Sequence, residues 1–289
     1  MKTIAKLCLA GLVLCQTHWN AFAQTQQWKE RVTKTFTLSK EATATTLAVY
    51  NITGFIRVEG YAGSQVQIEV DKELSAKDVQ MLEQGKKEFK LQFDQNADSI
   101  VAYIAAPYDS RPNRNCCCCD NRSIRYHYTL DFTIKVPYSM NLHVSTVNQG
   151  DVAIKDVTGI LHAYNVNGPI TLTNAKGATD VRTINGDVEI NYISAPPEQS
   201  SYYTLNGDIR IIYPASLSAL LEFKSFQGEF YTDFPNVEVL PAHIIKNEEK
   251  KVNSTIYKLT KNTSMRVGKG GKTFFFETFN GNIYIKKQS

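Results

Sequence analysis

The fold is decided by residues 150–194, which divide into five units of nine: GDVAIKDVT, GILHAYNVN, GPITLTNAK, GATDVRTIN and GDVEINYIS. Each unit opens on glycine, and its third, fifth and eighth positions are apolar in fourteen of fifteen cases. Nothing repeats at the helical period, whereas the third and fifth positions match a strand with one buried face. We therefore predict short strands joined at glycine-marked corners, with the three apolar positions of every unit pointing inwards.

Every second unit also carries Asn or Gln before its glycine, and the same mark continues at wider spacing towards the C-terminus. The pattern predicts an all-β protein, a β-solenoid-like stack of 18–21-residue rungs. Because Asn-Gly also suits the turn of a β-hairpin, an antiparallel meander is the alternative. The predicted rung turns are Gly150, Gly168, Gly186, Gly207, Gly228 and Gly281.

The remainder of the chain gives a domain division. We expect a signal peptide at 1–23, an N-terminal β-rich part of the solenoid domain at 24–140, and the repeat-bearing body at 141–289 with an insertion at 232–272. The N-terminal part acts as a cap region and carries one short helix, predicted over 75–89 with Ser75 and Asp78 as its capping residues and with Val79, Leu82 and Phe89 on one face.

The first residues predict export. Lys2 and Lys6 precede a short apolar stretch, and Ala21-Phe22-Ala23 offers a small-x-small cleavage site. A bacterial lipoprotein box ending at Cys15 is the alternative, and it would place a lipid anchor there. No later stretch is long and apolar enough for a transmembrane segment. We expect an exported protein that is periplasmic, outer-membrane-associated or on the cell surface.

The repeat region resembles the bacterial putative-adhesin family of β-strand repeats, a family of unknown function. The resemblance rests on VSTVNQGDVAIKDVTGILHAYNVNGPITLTNAKGATDVRTINGDVEI, on the opening LAVYNITGFIRVEGYAG and on the closing RVGKGGKTFFFETFNGNIYI. This sequence departs from the family pattern at Pro169, in its cysteine run and in its long insertion. The resemblance implies an exported β-rich protein and supplies no catalytic residue.

Four adjacent cysteines, Cys116, Cys117, Cys118 and Cys119, are the candidate metal ligands. Adjacent side chains point different ways along an extended chain and lack the gaps of a zinc knuckle. Disulfides within or between chains are feasible in an oxidising compartment, and nearby arginines favour the thiolate form. The run is therefore interpreted as disulfide-forming, with soft-metal or redox chemistry and a tolerated loop as the alternatives.

Acids that follow the rung glycines form a second candidate set. If the rungs stack, these acids form a column that could hold calcium, although each Asp could instead cap its own turn. The set is Asp151, Asp187, Asp208 and Glu229. The histidines lack ligand spacing, because His143 and His162 are one residue off the rung period, and we interpret them as surface or loop residues.

The leading interpretation of function is a non-enzymatic adhesin-like or scaffold protein without a cofactor, whose partner is an envelope protein or a glycan. A net charge of +4 with no basic cluster excludes a nucleic-acid binder. The alternatives are a metal- or redox-responsive envelope protein built on the cysteine run, and a polysaccharide-active solenoid enzyme. The candidate outward residues are Tyr164, Arg182, Arg210, Tyr231 and Tyr284.

Overall fold

The computed structural model describes residues 25–112, 124–235, 237–251 and 254–288, and the statements below concern these residues. They form β-strands with one α-helix, α1 (Val79–Glu88), and a 3₁₀ turn (Ala42–Ala44), which confirms the all-β prediction. Seven strands belong to the N-terminal part: β1 (Gln26–Thr37), β2 (Thr46–Tyr50), β3 (Ile56–Tyr61), β4 (Gln65–Ala76), β5 (Lys90–Gln95), β6 (Ser99–Ala106) and β7 (Tyr126–Pro137).

The remaining strands of the described chain are short through the repeat and longer near the C-terminus. They are β8 (Asn141–Ser145), β9 (Val152–Lys155), β10 (Leu161–Tyr164), β11 (Ile170–Ala175), β12 (Thr179–Asn185), β13 (Val188–Tyr192), β14 (Ser200–Asn206), β15 (Ile209–Tyr213), β16 (Ala219–Gln227), β17 (Phe230–Thr232), β18 (Val237–Lys251), β19 (Ser254–Val267), β20 (Lys272–Asn280) and β21 (Ile283–Lys287).

The strands form two large mixed sheets. The ten-stranded sheet has the order β1-β4-β7-β3-β9-β11-β13-β15-β21-β17, and the eleven-stranded sheet has the order β18-β19-β16-β20-β14-β12-β10-β8-β2-β6-β5. Through the repeat, consecutive strands alternate between the two sheets. Neighbours are parallel in the interior of each sheet, and antiparallel pairs occur towards the ends, at β1-β4-β7, β5-β6 and β18-β19-β16.

The repeat strands pair in register. Ile170 lies between Val152 and Val188 in the ten-stranded sheet, and all three side chains are fully buried. The same row continues through Ile209 to Ile283. Burying each such side chain contributes about 1.5–3 kcal/mol. Parallel pairing excludes the antiparallel meander over these strands.

The last strands do not follow the order of the chain. β20 lies between β14 and β16, and β21 lies between β15 and β17, so the final turn is inserted between the two turns that precede it in sequence. The detour starts in the 232–272 insertion, where β18 and β19 form a long antiparallel hairpin. The sequence predicts Asn/Lys-rich loops there with strands near 254–260 and 263–267, and β19 covers both of those strands. β19 then pairs with β16 and leads directly into β20.

Helix α1 is shorter than the predicted span. Asp78 is the N-cap and its side chain accepts a hydrogen bond from the Met81 amide at 2.7 Å, whereas Ser75 belongs to β4 and takes no part in capping. Leu82 and Phe89 are buried as expected, but placing Val79 on the same face is wrong, since its side chain is 59% exposed.

The core contains side chains from both sheets in one cluster. The prediction that the eighth position of each unit points inwards is wrong for Ile193, which is 49% exposed. Polar residues at other positions are buried instead, among them Thr183 and Thr204, which have no exposed surface. Side chains alternate between the two faces of a strand, and Thr183 on β12 and Thr204 on β14 occupy positions on the inward face.

Candidate functional site

The glycine corners bring successive turns into backbone contact. A Cβ on Gly186 would lie 2.2 Å from the carbonyl oxygen of Gly168, and a Cβ on Gly168 would lie 2.2 Å from that of Gly150. The column continues through Gly207 and Gly281, where the corresponding distances are 2.1 and 1.8 Å. Glycine is required at these corners because the next backbone occupies the space of a side chain.

Buried threonines satisfy the carbonyl groups of these corners. Thr183 donates to the Gly168 carbonyl at 2.9 Å, and Thr204 donates to the Gly186 carbonyl at 2.8 Å. A carbonyl that points into an apolar interior needs such a partner. The inward threonines therefore serve the turns and are not available to an external ligand.

Asparagine side chains form a ladder along the outside of the same corners. Asn167 donates from Nδ2 to Oδ1 of Asn148 at 3.0 Å, and Asn185 donates in the same way to Asn167 at 2.8 Å. The ladder continues from Asn206 to Asn185 and from Asn280 to Asn206, both at 2.8 Å. The sequence pattern predicts Asn167, Asn185, Asn206 and Asn280 only as marks of the corner turns. It indicates neither the bonds between them nor the place of Asn148 in the ladder.

Two of the acids that follow the glycines, Asp187 and Asp208, bond to the neighbouring turn. Asp187 Oδ1 accepts from the Asp208 amide at 2.8 Å, and Asp208 Oδ1 accepts from the Asn282 amide at 2.8 Å. Arg210 donates to Asp187 at 2.7 Å and also pairs with Asp208. Burial would raise the pKa of Asp187, but these hydrogen bonds and the Arg210 charge hold it below its usual value. At Asp187 and Asp208, donors from the protein thus bind carboxylate oxygens that calcium would need.

No group of three or more His, Cys, Asp or Glu side chains within the described ranges has the arrangement of a metal site. The calcium hypothesis therefore gains no support from the acid column. Cys116–Cys119, the signal segment 1–23 and Cys15 lie outside the described residues, so the disulfide, metal and lipid hypotheses stay predictions. No described helix has the length and apolar character needed to cross a membrane.

Three of the predicted outward residues meet on the ten-stranded sheet. Arg210, Tyr284 and Tyr231 occupy one register row on β15, β21 and β17. The two tyrosine rings stack with centroids 5.0 Å apart and an interplanar angle of 9°, and the Arg210 guanidinium lies 5.5 Å from the Tyr284 ring. Glu229 accepts a hydrogen bond from Tyr231, while Asn282 donates to Tyr284 at 3.2 Å.

A shallow groove crosses this outer face. It consists of two adjoining cavities of about 320 and 390 Å³ that share Thr171 and Thr173. Arg210, Tyr284 and Lys286 line the first cavity, so the stacked row forms one end of the groove. Its lining includes Ala153, Thr171 and Thr173 together with charged residues such as Lys155 and Glu189.

The other two outward residues, Tyr164 and Arg182, lie on the eleven-stranded sheet. Asp180 accepts hydrogen bonds from Tyr164 at 2.7 Å, from Ser201 at 2.5 Å and from Arg182 at 3.0 Å. Burial opposes ionisation of Asp180, but contacts with His162, Ser201, Tyr164 and Arg182 outweigh it and hold its pKa well below the ordinary value. Burial and the bond to Asp180 raise the pKa of Tyr164 strongly.

His143 and His162 are neighbours on the same face of the sheet, a contact that their interpretation as surface or loop residues does not include. They pair directly between β8 and β10, with ring centroids 5.8 Å apart. Burial and the proximity of His162 lower the pKa of His143. Their spacing of 19 residues is the local rung length, because Gln149 adds a residue at φ 54° before Gly150.

Comparisons with family models and with curated proteins find no match. Among solved structures, the chain is similar to a "putative cell adhesion protein" from Clostridium sporogenes, with 10% identity, a TM-score of 0.42 and coverage of 90% of this chain and 100% of the other. A "putative adhesin" from Bacteroides fragilis has 13% identity, a TM-score of 0.34 and coverage of 90% and 97%. A "putative lipid binding protein" from Parabacteroides distasonis has 8% identity, a TM-score of 0.27 and coverage of 90% and 97%. Similarity at this level carries no argument about function.

Proposed function

We propose that this chain is a non-enzymatic, exported adhesin-like or scaffold protein that presents the outer face of its ten-stranded sheet to an envelope or extracellular protein or glycan. The row of Arg210, Tyr284 and Tyr231 beside the open groove carries the proposal. Tyr and Arg are the residues that most often anchor protein interfaces, and stacked rings lose little side-chain freedom on binding.

The row is already held in place before a partner arrives. The hydroxyl groups of Tyr231 and Tyr284 bond to Glu229 and Asn282, and Arg210 is fixed by Asp187 and Asp208 on its own sheet. Pre-arranged side chains reduce the entropy cost of association. The residues that line the groove come from strands β7 to β21 in the order of the ten-stranded sheet, so a partner can lie across several strands at once.

The architecture that we propose for the chain is a β-solenoid of 18–21-residue rungs, with a cap region at 24–140 and a body at 141–289. The in-register parallel strands and the contacts between corner glycines support it. Export with cleavage after Ala23 and residence in the periplasm, at the outer membrane or on the surface rest on the sequence alone.

The hydrogen bonds of three carboxylates support the proposal that the protein is not an enzyme. Asp180, Asp187 and Asp208 each bond to arginine and to further donors from the protein. A glycoside hydrolase needs one carboxyl group free to donate a proton and another free to attack or activate water. These engaged acids match neither requirement.

A photo-crosslinking amino acid at Tyr231, in cells that display the protein natively, tests the proposal. The matched control is Tyr203, an outward tyrosine on the eleven-stranded sheet. We expect a reproducible adduct from position 231 that is absent from position 203, or glycan-array binding that Tyr231→Ala with Tyr284→Ala reduces at least about tenfold. Equal adducts from both positions, or no adduct together with no glycan signal, would overturn it.

A further inference from the structure

Strand β1 lies at one edge of the ten-stranded sheet. Strands β1, β4 and β7 are equally long and are the longest strands of the N-terminal part. Strand β1 pairs with β4 over Gln26–Thr37, and no other described strand borders its outer side. Every second residue therefore directs its amide and carbonyl groups away from the sheet. Long free edges of this kind are templates for another strand unless they are covered or blunted.

The side chains of β1 divide into two faces. Trp28, Val32 and Phe36 are half-buried and pack against the core, with Phe36 lying 6.2 Å from the ring of Phe93 on β5. Glu30 and Lys34 share this face because they have the same parity along the strand. The face thus reads apolar, acidic, apolar, basic, apolar from Trp28 to Phe36.

We propose that the free edge of β1 binds β1 of a second copy of this chain, antiparallel, with Val32 on the two-fold axis. In this register Trp28 faces Phe36 of the second copy, and Glu30 faces its Lys34. A two-fold interface repeats each contact, so both pairs form twice. The arrangement joins two ten-stranded sheets across their N-terminal ends.

Other two-fold registers do not match. A shift by one step in one direction places Arg31 opposite its own equivalent and Trp28 opposite Lys34. A shift in the other direction places Glu30 opposite Phe36 and Val32 opposite Lys34. Like charges directly opposite each other destabilise a strand pair, and a charged side chain opposite an apolar one loses the favourable cross-strand contact. The strands therefore adopt the register that avoids both.

The charges of the edge support the same partner. Lys34 has no ion pair within the described part of the chain, and Glu30 is 44% exposed while it lies 3.3 Å from Lys72. The edge therefore offers an unpaired cation and a partly exposed carboxylate four residues apart. A second copy turned by the two-fold axis supplies the complementary charge to each.

Cysteine crosslinking tests the register in the full chain with all six native cysteines, Cys8, Cys15 and Cys116–Cys119, replaced by serine. Val32→Cys places two thiols on the axis, where paired Cα atoms about 4.5–5.5 Å apart are within the range of a disulfide. Thr35→Cys is the control, because its two thiols would lie about 20 Å apart along the strands. We expect a disulfide dimer from Val32→Cys alone, and equal crosslinking of both variants, or of neither, overturns the register.

A charge swap tests the partner without cysteine chemistry. Lys34→Glu places like charges opposite Glu30, and Glu30→Lys places like charges opposite Lys34, so each variant alone should dimerise about tenfold or more weakly by light scattering. An equimolar mixture of the two variants should recover the dimer, since every pair is then opposite in sign. Lys176→Glu, an exposed change far from β1, is the control for net charge.

Circular dichroism confirms that each variant is folded, and recovery on mixing excludes simple misfolding. A protein that stays monomeric before any substitution at about 100 μM, or a mixture that stays as weak as its components, overturns the proposal. Because neither experiment involves Tyr231 or Tyr284, failure here leaves the proposed binding face unaffected.

Discussion

Gly186 lies so close to Gly168 of the neighbouring turn that a Cβ on Gly186 would stand 2.2 Å from the Gly168 carbonyl oxygen. The atom in the way belongs to the backbone and is held by the sheets on both sides. We expect Gly186→Ala to lower the free energy of unfolding by about 3 kcal/mol, because relief requires two turns to separate. Urea unfolding of the purified protein measures the loss.

Gly270→Ala is the control for this variant. Gly270 has φ +79°, so alanine there is conformationally strained, but its nearest neighbour is the Arg266 side chain at 3.4 Å. A left-handed residue costs about 1–2 kcal/mol. If Gly186→Ala is no more harmful than Gly270→Ala, the corner glycines do not act through backbone contact.

The asparagine ladder gives a second prediction. Asn185 takes part in two amide bonds, as donor to Asn167 and as acceptor from Asn206. Asn185→Ala removes both bonds at an exposed corner, where water can replace each partner, so we expect a loss of about 1 kcal/mol in urea unfolding. Asn96→Ala removes one long amide contact to Ser99 at 3.4 Å and should change stability by less than about 0.5 kcal/mol. Equal losses would contradict a stabilising ladder.

The sequence predicted the repeat well because its signals are local. Val152, Ile170 and Val188 recur at one interval, and glycine marks each corner, so strand length and inward face follow from periodicity. The pairing of β20 between β14 and β16 could not be predicted, since the Asn280-Gly281 turn looks like the next rung in sequence. Only the path of the β18–β19 hairpin decides where that turn is inserted.

The functional faces were predicted less completely. Tyr164, Arg182, Arg210, Tyr231 and Tyr284 point outwards as expected, but sequence could not assign them to different sheets. The pair of His143 and His162 was missed because one extra residue, Gln149, lengthens that rung. A strict period therefore conceals contacts wherever a bulge shifts the count.

The depressed pKa of Asp180 predicts a pH-dependent stability. An aspartate with a folded pKa below its unfolded value of about 3.9 stabilises the protein above that value, and this contribution is lost as the pH falls through the folded pKa. We expect Asp180→Asn to cost about 2 kcal/mol at pH 6, because bonds to an ionised group are lost. The difference from the original protein should shrink steadily below about pH 4.

Urea unfolding at pH 6, 4, 3 and 2.5 follows this difference. Asp98→Asn is the control, since its carboxylate is 64% exposed and lies 4.0 Å from Lys40. The control should track the original protein at every pH. A difference for Asp180→Asn that stays constant or grows towards acid would show that the carboxylate is not held in its ionised form.

A chain of buried hydroxyl groups gives the last prediction. Tyr202 bonds through its hydroxyl to Tyr192 at 2.8 Å and to Tyr213 at 3.0 Å, and all three side chains are almost fully buried between the sheets. Tyr202→Phe keeps the ring and removes the central hydroxyl. Tyr192 retains its bond to Thr179, but the Tyr213 hydroxyl loses the partner that Tyr202 provided. We expect a loss of about 1–3 kcal/mol in urea unfolding.

The comparison with Tyr213→Phe separates loss of a bond from burial of an unpaired group. Tyr213→Phe removes the hydroxyl at the end of the chain, and Tyr202 still bonds to Tyr192, so its cost should be smaller. Tyr203→Phe, on the outer face of the same strand, should change stability by less than about 0.5 kcal/mol. If Tyr202→Phe and Tyr213→Phe are equally harmful, the hydroxyl groups contribute independently, and the central position of Tyr202 has no special importance for joining the two sheets.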